Sequence, residues 1–263
     1  IKRTNILRVK LRRVMVQSID RAISIIKLLN STNEKEYWAI SDIADGTHLP
    51  VSTVHRLLNS LMEHGLVTQI TETKQYKIGP MWMEIGLRQL EKVDYRSVAR
   101  EVMKRLASEV EESVYLNIPN GTHSIIIERI DSPLKIRVID NLGEQIPLSI
   151  GAANKTMLAN MKTNEMEHIV EYLLPSLPEQ KQILLNQIKQ IKNEGYAVSY
   201  GEKTEGTASV AAPIIGFNHK VVGALSVGLI SHRINDDRLS FLISKVKQAA
   251  HEISIKIGST SEL

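Results

Sequence analysis

Five polar side chains, Ser52, Thr53, His55, Arg56 and Asn59, are interleaved with apolar residues Val54, Leu57, Leu58 and Leu61 that fall at i, i+3, i+4 and i+7. That period puts the apolar set on one stripe of a helix. Ser52, Arg56, Asn59 and Ser60 then face away from the stripe, and Thr53 and His55 flank it. Short hydrogen-bonding groups with one guanidinium are the chemistry that reads base edges and holds phosphate oxygens of duplex DNA. The same pattern also fits an ordinary solvated face, so the neighbouring segments must separate the two readings.

The remaining sequence offers little reactive chemistry. There is no cysteine, which excludes disulfides, thiolate nucleophiles and Cys-ligated zinc. No Gly-rich phosphate loop, Gly-x-Ser-x-Gly elbow or His-Glu-x-x-His is present, and His123, His168, His219, His232 and His251 lack ligand spacing. No catalytic residue, metal or cofactor is therefore expected, although a triad assembled only in space stays open. No apolar run reaches membrane-spanning length and no signal-peptide pattern occurs, so a cytoplasmic protein with no membrane partner is expected.

The segments around the polar stripe favour DNA. Ile40 to Asp45 reads as a short helix with Ile40, Ile43 and Ala44 inward, and Gly46 to Leu49 is a tight connection. Two helices across such a turn form a helix-turn-helix, whose second helix enters the major groove. Gly65 stops that helix, and Leu66 to Ile70 can pair with Gln75 to Ile78 across Thr71 to Lys74 as a two-stranded wing. Lys74 puts a cation at its turn. A preceding helix from Ser18 to about Leu29, with Ile19, Ala22, Ile23, Ile26 and Leu29 on one face, should pack beneath. Asn30 to Lys35 reads as a polar loop. Tyr37 to Ala39 can add a short strand, with Trp38 as a packing residue rather than a base-stacking platform.

Charge supports this only in part. The 263 residues carry a net +4, with a pI of about 9.1. Lys2, Arg3, Arg8, Lys10, Arg12 and Arg13 alone exceed that excess, while residues 15–80 are roughly balanced. Groove shape and a few placed donors, rather than bulk charge, would have to make the contact. Residues 1–14 read either as a basic arm tracking a phosphate backbone or as a start-site remnant, since Met15-Val16-Gln17-Ser18 looks like a natural beginning.

Met81 to about Val93 reads as a helix with Met83, Ile85, Leu87 and Leu90 apolar, which needs a partner. Beyond Asp94 the pattern becomes α+β. A helix from about Tyr95 to Glu111 carries the stripe Val98, Val102, Leu106 and Val110. Strands are expected at Val114 to Ile118, Ser124 to Arg129, Lys135 to Ile139, Ser209 to Ile215 and Val221 to Leu229. Residues 154–194 read as helices broken near Thr163 and at Pro175 to Pro178. A last helix, capped by Asn235, runs from Asp236 to Ile257. The expected architecture is a mostly antiparallel sheet with helices packed on it.

Ser18-Ile19-Asp20-Arg21-Ala22, Leu49-Pro50-x-Ser52-Thr53-Val54-His55-Arg56-Leu57-Leu58, Gly65-Leu66-Val67 and Tyr76-x-Ile78-Gly79 closely resemble the DNA-binding domain of IclR-type bacterial transcriptional regulators. Later segments resemble that family's effector domain, so the likeness covers about residues 15 to 257. It implies a GAF-like or profilin-like domain, with residues 15–80 as a winged helix-turn-helix, 81–94 as a linker helix that contributes to dimerisation and 95–263 as the effector-binding domain. Three positions depart from the family pattern. His48 stands where Gly is usual, Val51 where Lys or Arg is common, and Asn154 where Gly is common.

By the same resemblance, Pro147 to Lys155 leads into a short pocket helix through Gly151, Ala152, Ala153 and Asn154. Gly195 to Ser199, Glu202 with Gly206 to Ser209, and Ala224 to Gly228 would line the opposite side, with Ser199, Ser209, Ser226 and Gly228 among the contacts. Amides at a helix start can hold a carboxylate, because their N–H groups are unpaired and the dipole is positive there. Lys155, at the fourth residue of that helix start, is expected to point to solvent. Without the resemblance, small residues here would fit close strand packing better than a ligand site. The expectation is a dimeric or tetrameric regulator, more a repressor than an activator, that binds an operator in double-stranded DNA under the control of a small organic acid. The alternative is a small-molecule enzyme or non-DNA sensor whose N-terminal domain mediates protein contacts.

Overall fold

The computed structural model describes residues 16–31, 35–91 and 95–258. The chain divides into two compact units, Ile1–Lys92 and Val93–Leu263. The basic arm expected over residues 1–14 lies outside the described residues, as do positions 32–34 of the polar loop and 92–94 of the linker helix.

In the first unit, α1 (Gln17–Leu29), α2 (Ile40–Thr47) and α3 (Val51–Glu63) are followed by β1 (Val67–Gln69), β2 (Tyr76–Ile78) and α4 (Met81–Glu91). Ile25, Ile43, Val54 and Leu58 meet in a shared core with Trp38 and Tyr76. The face expected for α1 is corrected. Ile19 and Ile23 are exposed, and the helix packs instead through Ile25 and Leu29 with Ala22 and Ile26 partly buried. Ala22, Ile25, Ile26 and Leu29 form a second i, i+3, i+4, i+7 stripe overlapping the first, and packing selects it.

The turn between α2 and α3 is made by His48 in the left-handed region, φ 55° and ψ 35°. β1 and β2 pair antiparallel with Val67 opposite Ile78 and Gln69 opposite Tyr76. The expected strand at Tyr37 to Ala39 reduces to a single bridge, Trp38 with Tyr76, and the buried Trp38 ring packs in the core. Gly79 is required by close approach, since a Cβ there would lie 2.1 Å from the Gly65 carbonyl oxygen.

The second unit carries α5 (Arg96–Val110), β3 (Ser113–Asn120), β4 (His123–Ile130), β5 (Gln145–Pro147), α6 (Ala152–Asn160), α7 (Thr163–Leu173), α8 (Pro178–Glu194), β6 (Ala197–Tyr200), β7 (Thr207–Ile215), β8 (Val221–Ile230) and α9 (Asp236–Lys256). The six strands form one antiparallel sheet in the order β5-β4-β3-β8-β7-β6. Period-2 alternation divides its faces. Leu116, Val210, Leu225 and Val227 pack with α5 and α9 in one core. Ala197, Ala211 and Ala224 turn to the other face, where α6, α7 and α8 lie. Glu128 is buried and held by Arg96 at 2.9 Å and Arg100 at 2.7 Å, which ties α5 to β4. No helix among the described residues is long and apolar enough to cross a membrane.

One expected strand is absent. Residues 135–139 are irregular, with Ile136 68% and Ile139 51% exposed. β4 pairs instead with β5, His123 opposite Pro147. Side chains, not a ladder, hold the irregular segment: Ser113 Oγ and the Tyr115 hydroxyl each donate to the Val138 carbonyl at 2.8 Å.

Candidate functional site

The polar stripe and the small-residue cluster lie in different units and form two separate sites. On α3, Val54, Leu58 and Leu61 are buried, which leaves Ser52, His55, Arg56 and Asn59 exposed and Thr53 half-buried. Asn59 Nδ2 and His55 Nδ1 lie 3.4 Å apart, one turn from each other along that face. The helix starts at Pro50, whose carbonyl accepts from Thr53 and Val54, and no side chain caps its first turn. Its leading amides therefore stay available to a phosphate even though Val51 brings no cation. At the wing, Lys74 is exposed with φ 57°. Gln69 Nε2 donates to the Lys74 carbonyl at 3.2 Å and to the Tyr76 hydroxyl at 3.0 Å, which closes the turn.

In the second unit, cross-strand register assembles the other site. Ser113 stands opposite Gly228, Gly228 opposite Ser209, and Ser209 opposite Ser199. The adjoining row pairs Tyr115 with Ser226. α6 begins beyond this face, with Gly151 at φ 85° as its N-cap and no side-chain cap of its own. Gly151, Ala152, Ala153 and Asn154 together with Ser199, Ser209, Ser226 and Gly228 line one cavity of about 70 Å³. A cavity needs roughly 10–15 Å³ to hold one water, so this one has room for a small molecule.

The amides at the start of α6 already have partners. Gly151 N donates to Glu202 Oε2 at 2.9 Å, and Ala152 N to Ser209 Oγ at 3.4 Å. Asn154 turns its Nδ2 to the carbonyls of Pro147 and Ile150, at 3.1 and 2.6 Å. The solvent-facing position expected for Lys155 is corrected. It is 5% exposed, and its Nζ lies 2.6 Å from Glu202 Oε1. α6 is buried from Ala152 through Ala159 against β7, β8 and α8. It has no solvent face to offer an ammonium.

The lining residues missed in the sequence include Tyr115, Asn117, Asp140 and Lys203. Tyr115 and Asn117 alternate with the core residues Val114 and Leu116, so a polar i, i+2 pair within an apolar strand was the available signal. Burial, with the Asp140 charge adding to it, pushes the Tyr115 hydroxyl up to about 12. It stays protonated at neutral pH. Lys203 binds Asp140 Oδ1 at 2.6 Å and Glu144 Oε1 at 2.9 Å. Burial alone would lower its ammonium, but those two carboxylates outweigh it and hold Lys203 above the ordinary lysine range. Among the described residues no group of three or more His, Cys, Asp or Glu side chains is placed to hold a metal.

Residues 18–70 match the IclR helix-turn-helix domain, and residues 87–255 match the C-terminal domain of bacterial IclR transcriptional regulators. The chain is 32% identical to the HTH-type transcriptional regulator KipR of Bacillus subtilis (strain 168), over 90% of this chain and 97% of KipR. It is 28% identical to the HTH-type transcriptional repressor AllR of Escherichia coli (strain K12), over 92% of this chain and 90% of AllR. The crystal structure of an IclR homolog complexed with 4-hydroxybenzoate, from Microbacterium hydrocarbonoxydans, shares the fold. Its TM-score is 0.74 at 18% identity, over 91% of this chain and 98% of that one.

Proposed function

The chain belongs to the IclR family of bacterial transcriptional regulators, and from that premise we propose how it acts: α3 reads an operator, and a small organic acid in the α6 cavity sets operator affinity. Regulation by repression is supported by the likeness to AllR, a repressor. The observation that carries the reading is the exposed face of Ser52, His55, Arg56 and Asn59 on the second helix of a helix-turn-helix, with Thr53 beside it and Lys74 on the wing. A single short reading helix reaches few bases, so binding as a homodimer, or a dimer of dimers, multiplies the contacts. The apolar residues of α4 support self-association, since Met83 is 70% and Leu87 56% exposed.

The acid effector is supported by the amides and hydroxyls that converge on the cavity and by the aromatic acid bound in the Microbacterium relative. The test is a mobility-shift assay with DNA flanking the protein's own gene, run with and without a panel of short-chain keto, hydroxy and aromatic acids. A specific shift that one acid weakens or strengthens is expected. No preference for any flanking duplex over random DNA would overturn the operator reading, and a shift that no acid alters would overturn the effector reading.

A further inference from the structure

The positive corner of the cavity is already filled by an anion belonging to the protein itself. Both oxygens of Glu202 are engaged, one by the Gly151 amide at 2.9 Å and the other by Lys155 Nζ at 2.6 Å. Glu202 reaches this corner from the turn between β6 and β7, far along the chain from both partners. The same turn contributes Gly201, Lys203 and Thr204 to the cavity wall. Lys203 fastens it on the other side to Asp140 and Glu144. The turn is thus fastened on two sides of the cavity, by Glu202 to Lys155 and by Lys203 to Asp140 and Glu144.

Beside the backbone amides, a side chain that lines the cavity holds a buried polar atom without a partner. Asn154 is 2% exposed and lines the cavity, and its Oδ1 is buried with no hydrogen bond. Its orientation is dictated by chemistry, because only the amide nitrogen can face the two carbonyls of Pro147 and Ile150. A buried acceptor left open beside a bound carboxylate marks a place where a ligand's donor group completes the set.

We propose that Glu202 is a tethered stand-in for the effector's carboxylate. This rests on the cavity being the effector site. The incoming acid takes the Gly151 amide and the Lys155 ammonium, Glu202 is expelled to solvent, and the β6–β7 turn loses one of its two fastenings. The exchange replaces one carboxylate by another of equal charge, so Lys155 is never left buried and unpaired. It also makes the effector's apparent affinity weaker than its intrinsic one, by the fraction of time that Glu202 leaves the corner open.

The experiment uses acetate as the probe, on the full chain. Acetate affinity is measured by calorimetry and thermal shift, against chloride at equal ionic strength, for wild type, Glu202→Ala, Glu202→Gln and the double variant Glu202→Ala, Lys155→Ala. Removing the competitor should tighten acetate binding at least about tenfold in Glu202→Ala, since a corner open a tenth of the time or less weakens binding by that factor. Glu202→Gln, which keeps the shape and drops the charge, should tighten it in the same direction. The double variant should lose the gain. Should Glu202→Ala fail to fold by circular dichroism, Glu202→Gln decides. Folded variants that bind acetate no tighter than wild type overturn the proposal, and so does a gain that survives loss of Lys155. A gain confined to this corner, with no acid altering operator affinity in wild type, leaves the tethered carboxylate standing and overturns the effector reading alone.

Discussion

At the turn into α3, His48 holds a left-handed backbone that costs a non-glycine residue about 1–2 kcal/mol. Glycine removes that strain but loses about 0.5–1 kcal/mol to its freer unfolded chain. His48→Gly should therefore raise stability to urea by up to about 1.5 kcal/mol, and a destabilised variant would show that the histidine side chain contributes more than the backbone loses. On α3 itself the two faces should respond differently. Arg56→Ala and Thr53→Ala each remove a group off the buried stripe, and each should weaken operator binding by about 1–3 kcal/mol if its contact is to a base edge. Their folding stability should stay within about 0.5 kcal/mol of wild type for the exposed Arg56. Leu58 is fully buried, and Leu58→Ala should cost about 2–5 kcal/mol of stability. Mobility shifts beside urea melts separate the two classes. Unchanged operator affinity in both polar-face variants, with the fold intact, would remove α3 from the reading role.

At the scale of elements, the start of α9 is fixed by a cap residue of its own. Asn235 Oδ1 accepts from the Arg238 amide at 2.8 Å and caps α9, so Asn235→Ala should lower stability by about 0.5–2 kcal/mol. A loss of only a few tenths in a urea melt would mean that packing of Leu242, Val246 and Ile253 determines the helix start without the cap. That cap was readable because Asn followed by two acids before an apolar stripe is a local signal. α3 was legible for the same reason: Val54, Leu58 and Leu61 repeat within one short segment. Elements whose placement depends on distant partners were not. Lys135 to Ile139 has strand-like alternation, yet Ser113 and Tyr115 hold its backbone through their hydroxyls and leave it irregular. α1 carries two overlapping apolar stripes, and only the core of the first unit could choose between them. The cavity was legible through its small residues and the resemblance they carry. Its ion pair was not, because Lys155 meets Glu202 through a contact that no local period encodes.

At the scale of the whole chain, the proposed operator and effector sites belong to different units, and an acid that changes operator affinity does so by linkage. If an acid changes operator affinity by some factor, the operator must change acid affinity by the same factor, and couplings of this kind are typically about 5–150-fold. We expect calorimetry of an operator-active acid, with and without saturating operator duplex, to return the factor measured in mobility shifts. The acid can act only through differential affinity for two arrangements of the protein, however tightly it binds either. Ser209→Val and Ser226→Val supply the local control. Each removes a hydroxyl from the cavity wall and leaves the α3 face untouched, so both should weaken the acid while operator affinity without acid stays unchanged. If acid affinity is the same with and without operator although the acid alters operator binding, linkage through a single equilibrium fails. If both serine variants bind the acid as wild type does, the acid acts somewhere other than this cavity.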